Sequence, residues 1–134
     1  MIIPEILSKF KTIAVVGLSD KPEKPSNSVS KYMLEAGYTI IPINPMHEQV
    51  FGLKCYPSLL SLPDQLKSTI EIVNVFRKPS DVPPIIDEAI QMGAKAVWLQ
   101  LGITHEASAE KARLNGLEVV QNRCILVEHQ RYFS

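Results

Sequence analysis

A chain of 134 residues is large enough to bury about two thirds of its unfolded surface, and its fourteen basic side chains balance its fourteen acidic ones. That neutrality excludes the broad positive face with which a protein grips a phosphate backbone, so nucleic acid is not expected as a main partner. Cys55 and Cys124 match neither a disulfide framework nor a CxxC metal spacing, which suits a reducing compartment. The opening MIIPEILSKFKT carries Glu5, Lys9 and Lys11 and lacks an apolar run of signal-peptide or membrane-span length, so a soluble, cytoplasmic, single-domain protein is expected.

Ile3, Ile6, Leu7 and Phe10 recur at helical spacing after Pro4 and predict a short lead-in helix. Thr12 to Val16 reads as a buried strand that stops at Gly17, and Val29, Tyr32, Met33 and Ala36 predict the helix that follows, closed by Gly37. Tyr38 to Ile43 is the second predicted strand, ended by Asn44-Pro45, and a connecting stretch runs on through Gly52, Pro57 and Pro63. Ile70 to Phe76 predicts the next strand. Val82, Ile85, Ile86, Ala89 and Ile90 form a helical stripe with Ser80 and Asp81 as candidate caps and Gly93 at its end. Lys95 to Gln100, a helix over about Glu106 to Asn115 with Thr104 as its cap, and Leu117 to Gln121 complete the series. The tail EHQRYFS, with His129 in it, reads as a solvated end or a subunit contact. Strands alternating with helices imply right-handed crossovers, hence an α/β fold: a Rossmann-like, open, doubly wound, mostly parallel sheet with helices on both faces.

In such a sheet a ligand lies outside the carboxyl ends of the strands. The segments there are GLSDKPEKPS, NPMH, RKPS, LGIT and NRC, and they gather Lys21, Lys24, Arg77, Lys78 and Arg123 against few acids, chiefly Asp20 and Glu23. An anionic small molecule is the expected ligand; the alternative is that charged residues simply occupy surface loops. Gly17 permits close backbone approach, and the amides at the start of the next helix can receive a phosphate or diphosphate. The second and third glycines of a dinucleotide fingerprint are missing. So is the acid that would hold ribose hydroxyls after the second strand, where Asn44, Pro45, Met46 and His47 stand instead. These departures argue against ordinary NAD binding and favour a nucleotide with an additional ribose phosphate.

In order, GLS...KPS, INP, GLKCYPSL, VFRKP, WLQLGI and NRCILVEH resemble the small stand-alone CoA-binding proteins, which are similar to the amino-terminal domain of the succinyl-CoA synthetase alpha subunit. The resemblance spans nearly the whole chain, and it implies coenzyme A or an acyl-CoA as the small-molecule ligand. By that resemblance Gly17, Leu18 and Ser19 form the turn beneath the phosphates, and Lys24, Pro25 and Ser26 close over them from the helix start. Asn44 and Pro45 belong to the same rim, or only shape a turn there. His47 falls near a basic position of the synthetase-like pattern, where its protonated form would touch the ribose phosphate. Val75, Phe76 and Arg77 resemble the wall for the adenine, with Arg77 stacking on the base or pairing with phosphate, while Gln100, Leu101 and Gly102 would line the pantetheine path. Asn122 and Cys124 match the family's residues near the thiol end; Arg123 between them departs from the synthetase form and matches the small proteins.

Plainer readings stand beside these. Phe76 and Trp98 suit the core, Cys124 suits a small buried apolar position, and His105 with Glu106 suits a helix start. The synthetase reaction uses a histidine carried on a second domain that this chain ends too soon to include, and no HExxH, GxSxG, Walker loop or carboxylate pair takes its place. A non-catalytic CoA-binding, sensor or carrier module is therefore expected. The alternatives are an enzyme or detached subunit acting on a CoA thioester near Cys124, and an NAD(H)-binding redox sensor. The lead-in helix and aromatic tail offer a face on which two copies would pair.

Overall fold

The computed structural model describes residues 1–133. In chain order the elements are α1 (Ile3–Lys9), β1 (Thr12–Val16), α2 (Pro25–Glu35), β2 (Thr39–Ile43), a small hairpin of β3 (Gln49–Val50) and β4 (Leu53–Lys54), and α3 (Asp64–Lys67). They continue with β5 (Ile72–Val75), α4 (Val82–Met92), β6 (Ala96–Leu99), α5 (Glu106–Leu114), β7 (Glu118–Val120) and α6 (Ile125–Phe133). Five strands form one parallel sheet in the order β2-β1-β5-β6-β7, the Rossmann-like arrangement expected. Ile13 lies between Ile40 and Ile72, and Trp98 pairs with Asn74 on one side and Val120 on the other.

Strand side chains alternate between the two faces, and both faces are covered. Ile13 and Val15 pack with Ile6 and Leu7 of α1, Val29 and Met33 of α2 and Ile125 of α6. Ala14, Val73 and Val75 pack on the opposite face with Ile85, Ile86 and Ala89 of α4 and Ala112 of α5. Because neither face meets water, the strands read as unbroken apolar runs rather than as alternating ones. Trp98 is fully buried, and its indole N–H donates to the Arg123 carbonyl at 2.8 Å, so the core reading of that residue holds.

Three local expectations are corrected. The tail is only in part a solvated end: through Phe133 it belongs to α6, which buries Ile125 and Glu128 and brings the His129 ring nitrogen Nδ1 to 2.8 Å from the Tyr32 hydroxyl, while Gln130 to Phe133 are exposed. The polar run EHQR hides this in the sequence, because Glu128 is buried between the guanidinium groups of Arg123 and Arg131, at 4.0 and 3.6 Å. Thr104 does not cap α5. His105 does, its Nδ1 accepting from the Ser108 amide at 3.2 Å. Ser80 and Asp81 form a 3-10 turn, Pro79–Asp81, ahead of α4, and among the described residues no side chain caps that helix. Among those residues, too, no helix is long and apolar enough to cross a membrane.

Candidate functional site

After β1 the chain moves to one side of the sheet to form β2, and it later returns to the other side of β1 as β5. The strand order therefore reverses between β1 and β5, and a crevice opens at their carboxyl ends. Gly17 forms the floor of that crevice. Its φ is +91°, and a Cβ built on it would lie 2.9 Å from the Phe76 carbonyl oxygen and 3.0 Å from Arg77 Cδ. Its amide donates to the Ile43 carbonyl at 2.8 Å, tying the turn to the end of β2. Two clefts share this glycine, one on each face of the sheet. The cleft on the α4 side, about 250 Å³, is walled by Ile43, Pro45, Leu59 and Ile85 with Arg77 and Asp81 at its mouth. The α2-side cleft, about 370 Å³, presents Ser19, Lys24, Ser26, Phe76 and Gln100.

The loop after Gly17 folds back on the start of α2. Leu18 is buried, the Ser19 amide donates to Ser26 Oγ at 3.0 Å, the Ser19 hydroxyl accepts from the Lys21 amide at 3.1 Å, and the Ser19 carbonyl accepts from Asn27 Nδ2 at 2.8 Å. Lys24 is the cap residue of α2 and Pro25 its first residue, where a missing amide is harmless. At the end of β2, Asn44 is buried and engaged at both ends of its amide: its Nδ2 donates to the Leu18 carbonyl at 3.0 Å and its Oδ1 accepts from the Met46 amide at 2.9 Å. The Cys55 thiol donates to the Asn44 carbonyl at 3.4 Å, and burial pushes that thiol's pKa above its ordinary value. His47 Nδ1 lies 3.6 Å from an Asp20 carboxylate oxygen, so the two loops bordering the crevice meet across it.

Val75 is fully buried and Phe76 only partly, so Phe76 is at once a core residue and a wall of the α2-side cleft. Arg77 is not free: Nε and Nη2 donate to Asp81 Oδ2 at 3.3 and 3.1 Å. Gln100 is buried, and its Nε2 donates to Oδ1 of Asn74, a mid-strand residue, at 2.7 Å. Gly102, Asn122 and Cys124 line neither cleft. The Gly102 amide donates to Asn122 Oδ1 at 2.7 Å with Asn122 at φ +57°, and Cys124 is half-buried against the core. The structure places the glycine turn, Lys24, Phe76, Arg77 and Gln100, which sequence reasoning grouped, along one edge of the sheet. That reasoning did not single out Asn74 for the site, nor Ile43, Leu59 and Ile85 of the α4-side wall. The spacing of Arg77 and Asp81, four residues apart, was the available signal for their pairing.

This architecture, a parallel sheet with a crevice where its order reverses, defines a Rossmann-like α/β domain. Residues 11–130 match the CoA binding domain family, and the chain belongs to it. It is 40% identical over 127 residues to the uncharacterized protein YneT of Bacillus subtilis (strain 168), covering 95% of this chain and 91% of that one. A hypothetical protein from Pyrococcus horikoshii OT3 superposes with a TM-score of 0.91 at 45% identity, over 98% of this chain and 90% of that one. The chain is also 33% identical over 109 residues to acetate–CoA ligase [ADP-forming] II of Archaeoglobus fulgidus; the match takes in 78% of this chain but 16% of the ligase. The domain is thus homologous to the CoA-binding part of these larger ligases.

Proposed function

We propose that this protein binds coenzyme A, free or as a short acyl thioester, as a cytoplasmic binding, sensor or carrier module. The supporting observation is the pair of clefts that join at Gly17. The α4-side cleft, with walls of isoleucine, leucine and proline, suits a flat heterocyclic base. The α2-side cleft, with Lys24, two serine hydroxyls and the Gln100 amide, suits phosphate and an amide-bearing arm. A diphosphate over Gly17 would join the two. NAD is disfavoured by the same geometry, because Asn44, at the position where an acid would hold ribose hydroxyls, already spends its amide on Leu18 and Met46. The ligase reaction is not carried over, since the matched segment is a small part of those enzymes.

Native mass spectrometry with coenzyme A, acetyl-CoA and NAD tests the reading. An adduct with the CoA species and none with NAD is expected. A ligand at a hundred times its dissociation constant adds about 2.7 kcal/mol, which raises the melting temperature by several degrees. Unchanged mass and melting temperature in millimolar coenzyme A would refute it.

A further inference from the structure

Arg77 stands where the two clefts join. Its Cδ is 3.0 Å from the point a Cβ on Gly17 would occupy, so its aliphatic stem crosses the crevice floor. Its guanidinium then turns into the α4-side cleft, where two of its N–H groups reach the same Asp81 oxygen. Both side chains line the cleft and both are partly exposed, 44% for Arg77 and 31% for Asp81. The Asp81 carboxylate does not hydrogen-bond as a cap of α4 and is turned instead to Arg77, so among the described residues its polar contact is with the guanidinium. The same Nε and Nη2 donors that share one Asp81 oxygen here are the fork with which a guanidinium can meet two oxygens of a phosphate.

Resting on the CoA reading above, we propose that Asp81 is an internal competitor for the ligand's diphosphate: it holds Arg77 across Gly17 until phosphate displaces it, and so selects phosphate-bearing ligands. The energetics favour that exchange in one direction. A diphosphate brings more charge than one carboxylate, so it takes the guanidinium. A carboxylate ligand would only replace like with like, and a neutral nucleoside offers Arg77 at most a stacked base, with no charge to displace Asp81. The released Asp81 stays in the first turn of the continuous 3-10 and α-helical run, where the positive end of the helix dipole favours an acid. Release therefore costs little beyond the exposed ion pair itself.

The test is calorimetric titration of coenzyme A, ADP and adenosine into four principal proteins, unmodified, Asp81→Asn, Arg77→Ala and the double variant, with Asp81→Ser as a fifth for control. Asp81→Asn is expected to tighten coenzyme A and ADP by about two- to fivefold, the range of an exposed ion pair, and to leave adenosine unchanged. In the Arg77→Ala background that gain is expected to vanish. Asp81→Ser should behave as Asp81→Asn does, so a folding defect peculiar to one variant does not decide the matter. No tightening, or the same tightening without Arg77, overturns the proposal, since the second result makes Asp81 a general repulsive charge. ADP following the pattern while coenzyme A binds none of the four keeps the competitor and removes the CoA reading. Coenzyme A binding without any Asp81→Asn gain does the reverse, and silence from both ligands overturns both.

Discussion

Replacing Gly17 with alanine probes the crevice floor directly. Two penalties apply. An L-residue at φ +91° costs about 1–2 kcal/mol, and a methyl group 2.9 Å from a backbone carbonyl oxygen adds about 1–3 kcal/mol of overpacking, because Phe76 follows directly on β5 and its own amide is tied to the Val16 carbonyl at 2.9 Å, so the backbone there yields only at a cost. The expected loss is about 3 kcal/mol, which for a domain of this size lowers the melting temperature by about 10–15 °C. Gly37→Ala is the matched control: its φ is +102°, and an added Cβ there meets nothing within 4 Å, so only the backbone penalty of about 1 kcal/mol remains. Thermal and urea denaturation followed by circular dichroism measure both. Because the methyl group pushes Phe76 and Arg77 away from the crevice, Gly17→Ala is also expected to weaken coenzyme A binding at least about tenfold, as a loss of 1.4 kcal/mol would. Equal destabilisation of the two variants, or undiminished binding by Gly17→Ala, would refute the tight floor inferred here.

Further outcomes follow from individual contacts. Asn44→Ala strands the Leu18 carbonyl and the Met46 amide and should cost about 1–3 kcal/mol, read from the urea midpoint; a loss below a few tenths would mean that solvent replaces the clamp. Burial holds the Cys55 thiol pKa above its ordinary value, so iodoacetamide at mildly alkaline pH should label the half-buried Cys124 first and Cys55 only on unfolding, which peptide mass mapping checks. Burial, then the charge of Lys11, lower the His129 pKa below its unfolded value of about 6.5. The neutral ring therefore contributes stability that is fully present above that value and lost as pH falls through the lower folded pKa. The melting temperature of the unmodified protein should fall more steeply between pH 7 and pH 5 than that of His129→Gln, and parallel slopes would count against the assignment.

Elements that depend on their own residues were legible from the chain alone. β1 read as a strand because Thr12 to Val16 is apolar on both faces, and α4 as a helix because Val82, Ile85, Ile86 and Ala89 repeat at helical spacing. Strand ends were read too long: Ile70 and Phe76 are apolar like their neighbours yet lie outside the run assigned to β5, and pairing rather than composition sets that boundary. α6 was lost because Glu128 has the composition of a surface residue and becomes a buried one only beside Arg123 and Arg131.

The same division governs the site. The chain by itself determined that a glycine follows the first strand, that basic and hydroxyl-bearing residues cluster after the strands, and that no ribose-binding acid follows the second; these are properties of neighbours along the backbone. Tertiary structure decided which of those groups remain available. Asn44 is consumed by Leu18, Gln100 is bound to Asn74, and Arg77 is held by Asp81 over a glycine sixty residues earlier in sequence. The Arg77–Asp81 pair is local, but the Asn44 and Gln100 hydrogen bonds and the approach of Arg77 to Gly17 join groups that the sheet order brings together, and spacing along the chain does not encode that order.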